Sequence, residues 1–143
     1  MHPLSLEQLT VMDATPPELI SIAAALGCQA ISLYVEPPGG GIEVYPLIDD
    51  TPIRRETVAR MADTGVAIHN LEAYLLAPDT RIDAYRKSLE AGATMGARSA
   101  TALVFDPDKQ RGADRFVDEL LQHGILLVSD QPLTDSSSSS ERP

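Results

Sequence analysis

Four times along this chain an amphipathic segment ends at a glycine and gives way at once to a short apolar run. The glycines stand at positions 27, 65, 96 and 124. Their spacings are 38, 31 and 28 residues, about the length of one strand-and-helix crossover unit. Strands that alternate with helices in this way lie parallel, because a right-handed helical crossover returns each strand in the same direction. The repeat therefore confines the chain to parallel α/β folds.

The elements follow from local chemistry. Thr15 before Pro16-Pro17-Glu18 reads as a helix start, with a capping threonine, a proline in the first turn and a glutamate that closes a capping box. Leu19, Ile20, Ile22, Ala23 and Leu26 give that helix its apolar face, and Gly27 suits the left-handed stop. Ala30 to Val35 then alternates like a strand. Asp50-Thr51-Pro52 opens a second helix that runs to Gly65, and Val66 to Leu71 follows as a strand. A third helix is predicted from about Asp79-Thr80, with Ile82, Tyr85, Leu89, Gly92 and Gly96 on one face, leading to a strand from Ser99 to Phe105. The fourth spans Lys109 to His123, turns Phe116, Val117, Leu120 and Leu121 inward, and leads through Gly124 to Ile125-Leu126-Leu127-Val128. With Leu4 to Val11 as a first strand, the pattern predicts about five strands and four helices. A flavodoxin-like open sheet fits that count too, but it needs continuous apolar central strands covered on both faces. Ala30, Ser32, Tyr34, Asn70 and Thr101 suit helices on one side only.

Composition narrows the setting. Against 21 acidic residues stand 11 basic ones, a formal charge of -10, which argues against a phosphate-backbone partner such as nucleic acid. No run has the ~20 apolar residues of a membrane-spanning helix, and the first residues do not look like a signal peptide. The lone Cys28 is expected to behave as a small hydrophobe in a reduced, cytoplasmic environment. The five consecutive serines from Ser136 to Ser140 make residues 134–143 an expected disordered tail, with a folded unit over 1–133.

Several stretches resemble the xylose isomerase-like TIM barrel superfamily, in particular its sugar phosphate isomerase/epimerase branch. They are Pro16-Pro17-Glu18-Leu19 with Ala24-Ala25-Leu26-Gly27-Cys28, Tyr45-Pro46-Leu47-Ile48-Asp49-Asp50, Asp63-Thr64-Gly65-Val66 leading to Leu71-Glu72, Leu89-Glu90-Ala91-Gly92-Ala93 with Gly96-Ala97-Arg98, and Phe105-Asp106-Pro107-Asp108 with Asp114-Arg115-Phe116. The resemblance implies a (β/α) barrel of eight units, of which this chain holds the first half as a truncated member. It also implies a divalent metal (Mg²⁺, Mn²⁺ or Zn²⁺), a small sugar or polyol as substrate, and metal-assisted proton transfer beside a carbonyl. In that family the metal ligands come from the fifth strand onward. Asp130, six residues after Gly124, is where the resemblance puts the first of them, as an aspartate in place of the family's glutamate.

Strand phase supplies the remaining candidates. If Ile31, Leu33 and Val35 face the helices, then Ser32, Tyr34 and Glu36 face the barrel. In the third strand Leu71 sides with the helices, which turns Asn70 and Glu72 toward the barrel. Glu72, expected at the C-terminal end of its strand, is the candidate acid/base residue, with Glu36, Asn70 and Tyr74 as substrate contacts. His69 shares the phase of Leu71 and reads as a structural histidine. The loop Glu36-Pro37-Pro38-Gly39-Gly40-Gly41 has no Lys-Ser/Thr pair and no helix at once behind it, so it does not read as a phosphate loop. Half of a closed sheet exposes two edges and an apolar interior, so self-association is expected. The alternative to an enzyme is a catalytically inactive half-barrel that serves as an assembly or binding module, or is a degraded gene product.

Overall fold

The computed structural model describes residues 2–129. Five strands, β1 (Ser5–Glu7), β2 (Ala30–Tyr34), β3 (Ala67–Leu76), β4 (Ser99–Val104) and β5 (Leu126–Ser129), form one sheet in sequence order, and every neighbouring pair is parallel. Four helices make the crossovers: α1 (Pro16–Ala25), α2 (Pro52–Thr64), α3 (Arg86–Thr94) and α4 (Lys109–Gln122). Strands in unbroken sequence order, each joined to the next by a helix, form half of a TIM barrel wall. A flavodoxin-like sheet would need a reversal of strand order.

The helix ends are set by the residues that the sequence singles out. Thr15 and Glu18 form a reciprocal capping box, in which the Thr15 amide donates to Glu18 Oε2 at 2.8 Å and the Glu18 amide donates to Thr15 Oγ1 at 3.4 Å. Thr51 caps α2 and Asp108 caps α4, each accepting from the backbone amide three residues on. Gly65 closes α2 at φ +73°, the left-handed conformation that glycine adopts without penalty.

The core lies between the sheet and the helix layer. Leu19, Ile20 and Ala23 of α1 meet Ile31 and Leu33, while Leu89, Phe116 and Leu120 cover β3 and β4, all of them fully or almost fully buried. Tyr74, Tyr85 and Phe116 form an aromatic triangle with centroid separations of 5.0, 5.1 and 6.0 Å, a geometry that adds to simple area burial. A Cβ on Gly92 would stand 2.4 Å from Leu71 Cδ1, so glycine is what lets α3 approach β3 this closely.

Four expectations need correction. The first strand ends at Glu7 rather than Val11, because Gln8–Thr10 turn into a 3-10 helix and the buried Gln8 side chain takes over as acceptor for the Tyr34 amide at 2.8 Å. The third strand runs past Leu71 to Leu76. The next helix then starts later, since Ala77 donates to Thr80 Oγ1 at 2.8 Å in a tight turn and Ile82–Tyr85 form a 3-10 helix ahead of α3. Leu26 and Leu121 are 64% and 60% exposed. Leu121 stands one position beyond buried Leu120, and the ~100° turn per helical residue carries it off the seam. The serine tail and its boundary at residue 134 lie outside the described residues.

Candidate functional site

The barrel-facing side of the sheet carries the chain's polar chemistry, and β3 places its centre. β3 pairs with its neighbours through two bulges. Ile31 lies opposite Ile68 while Ser32, the next residue, lies opposite Asn70, so His69 is an extra residue. Leu71 lies opposite Ala100 while Tyr74 lies opposite Ala102, so Glu72 and Ala73 together face Thr101. Each bulge reverses the in-out alternation. Ile68, Tyr74 and Leu76 accordingly turn to the helices, and Asn70 and Glu72, of the same parity, turn to the barrel. Bulges are a common means of re-aiming side chains beside a functional site.

Asn70 is the hub of a polar network on that side. Its Nδ2 lies 3.1 Å from Ser32 Oγ, 2.9 Å from Thr101 Oγ1 and 3.2 Å from Glu72 Oε1, three acceptors for two hydrogens. Its Oδ1 accepts from Ser99 Oγ at 2.9 Å. Ser32, Asn70 and Ser99 are buried, and the network joins three adjacent strands. Glu72 sits half-buried beside it, in register with Tyr34 of β2.

The carboxyl of Glu72 is a weaker acid than an ordinary glutamate. Burial is the chief cause, followed by a hydrogen bond with Glu7 and the charge of that residue, while Ser32 and Asn70 pull the other way. The Tyr34 phenol is pushed up by burial and by the charges of Glu72 and Glu7. Glu7, Tyr34 and Glu72 therefore form one group on the barrel side of β1, β2 and β3. The sequence did not single out Glu7, because a first strand drawn to Val11 hides that Glu7 is its last residue.

The other candidates lie in different surroundings. Glu72 itself is within β3 rather than at its C-terminal end, since the strand continues to Leu76. Tyr74 is fully buried on the opposite side, its hydroxyl 3.3 Å from Ser88 Oγ and its ring against Tyr85 and Phe116. The second bulge separates it from Glu72. Its phenol is pushed up above the usual tyrosine range by burial. Glu36 is half-buried just past β2, and its charge is felt at Tyr74 and Tyr85. His69 does not pack under the helices: as the bulge residue it is exposed, while Ile68 takes the helix-facing place. Asp130 lies outside the described residues.

Among the described residues no three of His, Cys, Asp and Glu come together as a metal centre. Glu7 and Glu72 supply two carboxyls with no third carboxylate or histidine beside them among the described residues, too few ligands to make up by themselves the site of the divalent metal that the family resemblance implies. What the arrangement can do chemically is hold and release a proton beside a row of hydroxyl and amide groups able to bind a polyhydroxylated molecule.

The mouth of the barrel wall is held from the helix side. Asp106, fully buried, receives two hydrogen bonds from Arg111 at 2.8 and 3.3 Å, and the guanidinium holds its carboxyl below the usual aspartate range. Arg115 donates to the carbonyls of Pro78 and Thr80, fixing the turn after β3 to α4.

No family model matches the sequence, and no curated protein matches it. Solved structures do match the fold. A protein from Sinorhizobium meliloti 1021 superposes with a TM-score of 0.62 at 17% identity, over 90% of this chain and 50% of that one. A xylose isomerase domain containing protein from Salmonella typhimurium LT2 gives 0.62 at 14% identity, over 90% and 50%. A sugar phosphate isomerase/epimerase from Parabacteroides distasonis gives 0.51 at 12% identity, over 99% and 60%. The chain thus spans about half the length of the first two structures. Likeness at such identities is likeness of fold: this chain is built like one half of the (β/α) barrels that it matches.

Proposed function

We propose that this chain is half of a sugar phosphate isomerase/epimerase-type enzyme. In this reading Glu72 moves a proton on a small sugar or polyol once further strands close the barrel. The observation that carries it is the placement of Glu72: an acid of weakened strength, turned to the barrel between two bulges and flanked by hydroxyl and amide groups that suit a polyol. Any metal the reaction uses takes its ligands from outside the described residues, where Asp130 lies. The test is an isomerisation and epimerisation screen over small aldoses, ketoses and their phosphates with added Mg²⁺, Mn²⁺ or Zn²⁺. Glu72→Gln is expected to lower any turnover by about 10²- to 10⁴-fold, the usual worth of a positioned acid or base. Unchanged turnover in that variant sinks the assignment.

A second copy of the chain is the proposed source of the closing strands. Support comes from β5, where Leu126 and Val128, in register with barrel-facing Ser99 and Thr101, are 66% and 46% exposed. The acidic surface and the single Cys28 favour a cytoplasmic setting without nucleic acid or membrane partners, and among the described residues no helix is long and apolar enough to cross a membrane. If the assembled protein turns over no substrate, the same exposed surface favours the alternative of a non-catalytic assembly module.

A further inference from the structure

The five side chains of the network around Asn70 are of two kinds. Ser32, Asn70 and Ser99 are buried, whereas Glu72 and Thr101 are half-buried and open toward the barrel. The two open ones are tied to the same atom, since Asn70 Nδ2 stands 3.2 Å from Glu72 Oε1 and 2.9 Å from Thr101 Oγ1. Asn70 itself is committed within the network: its hydrogens go to these oxygens and to Ser32 Oγ, and its own oxygen accepts from the Ser99 hydroxyl. No hydrogen of its amide is left for a ligand. The Thr101 hydroxyl is in the opposite position. Its oxygen accepts from Asn70, so its hydrogen remains to be given. The residue in register with it on β5 is Val128, whose side chain has no polar atom, and among the described residues no protein atom accepts that hydrogen. Its outlet is the barrel space beside Glu72, because the second bulge sets Glu72 and Ala73 together against Thr101.

We propose that Thr101 is a ligand-binding residue of this site, whose hydroxyl donates to one oxygen of a vicinal diol or α-hydroxy carbonyl compound while Glu72 engages the neighbouring one, with Asn70 as the positioning residue for both. The inference deepens the function proposed above by fixing what its ligand must carry, oxygens on adjacent carbons, and it rests on that reading for the class of small polyols and sugars. Thr101 supplies a hydrogen, and the Glu72 carboxylate accepts one. A ligand that has an oxygen on one carbon only, or oxygens far apart, satisfies one of the two and leaves the other without its partner. Asn70 sets the angle between them through a single nitrogen, so its part is played through Glu72 and Thr101 and not by touching the ligand.

The experiment is an NMR titration of the ¹⁵N-labelled full chain with meso-erythritol, which has an oxygen on every carbon, and with butane-1,4-diol, which has none on adjacent carbons. The amides of β3 and β4 and the side-chain amide of Asn70 report binding. The wild type is expected to bind erythritol about threefold or more tighter than the diol. Thr101→Val, which keeps the shape and removes the hydroxyl, is expected to lose about 3- to 10-fold in erythritol affinity, the worth of one hydrogen bond, with little change for the diol. Thr101→Ser restores the hydroxyl and is expected to recover most of that loss. An erythritol affinity that Thr101→Val leaves in place, or a wild type that binds the two probes equally, overturns the proposal and leaves the proposed function standing. If Thr101→Val does not fold, as judged by circular dichroism, the wild-type comparison of the two probes decides. A wild type that binds neither probe overturns this inference and the polyol reading together, whereas a failed turnover screen with the binding pattern intact sinks the proposed function alone.

Discussion

At the scale of the residue, Glu72 combines a cost to stability with a reason for being there. Its carboxyl is weakened in the folded state, so between the ordinary glutamate value and the raised folded one the folded chain binds more protons than the unfolded chain. Stability is therefore highest below that window and falls as pH rises through it. Glu72→Gln removes the slope, and thermal unfolding followed from about pH 4 to 8 is expected to show the variant gaining on the wild type as pH rises, with the higher midpoint at neutral pH. A wild type that gains stability over Glu72→Gln across that range contradicts the placement. Asn70 and Glu72 were legible because strand phase next to Leu71 turns them inward. Glu7 was not, since the change from strand to 3-10 helix at Gln8 depends on the long-range bond to the Tyr34 amide, which no local propensity records. Tyr74 looked like a companion of Glu72 only as long as β3 alternated without interruption.

At the scale of the element, the helix starts were the most legible part, because capping is a property of three or four consecutive residues. Thr15, Thr51 and Gly65 do what their types suggest. Helix packing was harder to read. α2 buries only Thr57 among its residues and rests chiefly on α1, whereas α3 presses on β3 through Gly92. Gly92→Ala is expected to destabilise the chain despite the better helix former. Overpacking against fully buried Leu71 costs about 1–3 kcal/mol and alanine returns about 1 kcal/mol, so the net is a loss of up to roughly 2 kcal/mol in urea unfolding. The double variant with Leu71→Val, which opens room for the new methyl, is expected to lose less than the sum of the two single losses.

At the scale of the whole molecule, the sheet has a finished side and an unfinished one. Helices cover the first, while the second carries a polar network at its centre and exposed Leu126 and Val128 at its rim, and among the described residues β1 and β5 are each paired along one edge only. Joint substitution Leu126→Lys and Val128→Lys is expected to shift sedimentation velocity from dimer toward monomer while far-ultraviolet circular dichroism stays the same. A wild type that sediments as a monomer at every concentration contradicts the second-copy proposal. The glycine-to-glycine repeat made the half-barrel readable, since it fixes strand order and direction together. What the barrel encloses was less readable, because it turns on where single residues are inserted in one strand.

Those insertions make β3 a strand with two spare letters. Remove His69 and Ala73, and Ile68, Asn70, Leu71, Glu72, Tyr74, Leu75 and Leu76 alternate without a break, each on the face it already occupies. A one-residue deletion at either spare position is then nearly silent for facing, whereas deletion of Leu71 between them leaves Asn70 and Glu72 adjacent and forces one of the two under the helices. A deletion scan along β3, scored by resistance to proteolysis, is expected to find two tolerated positions flanking an intolerant centre.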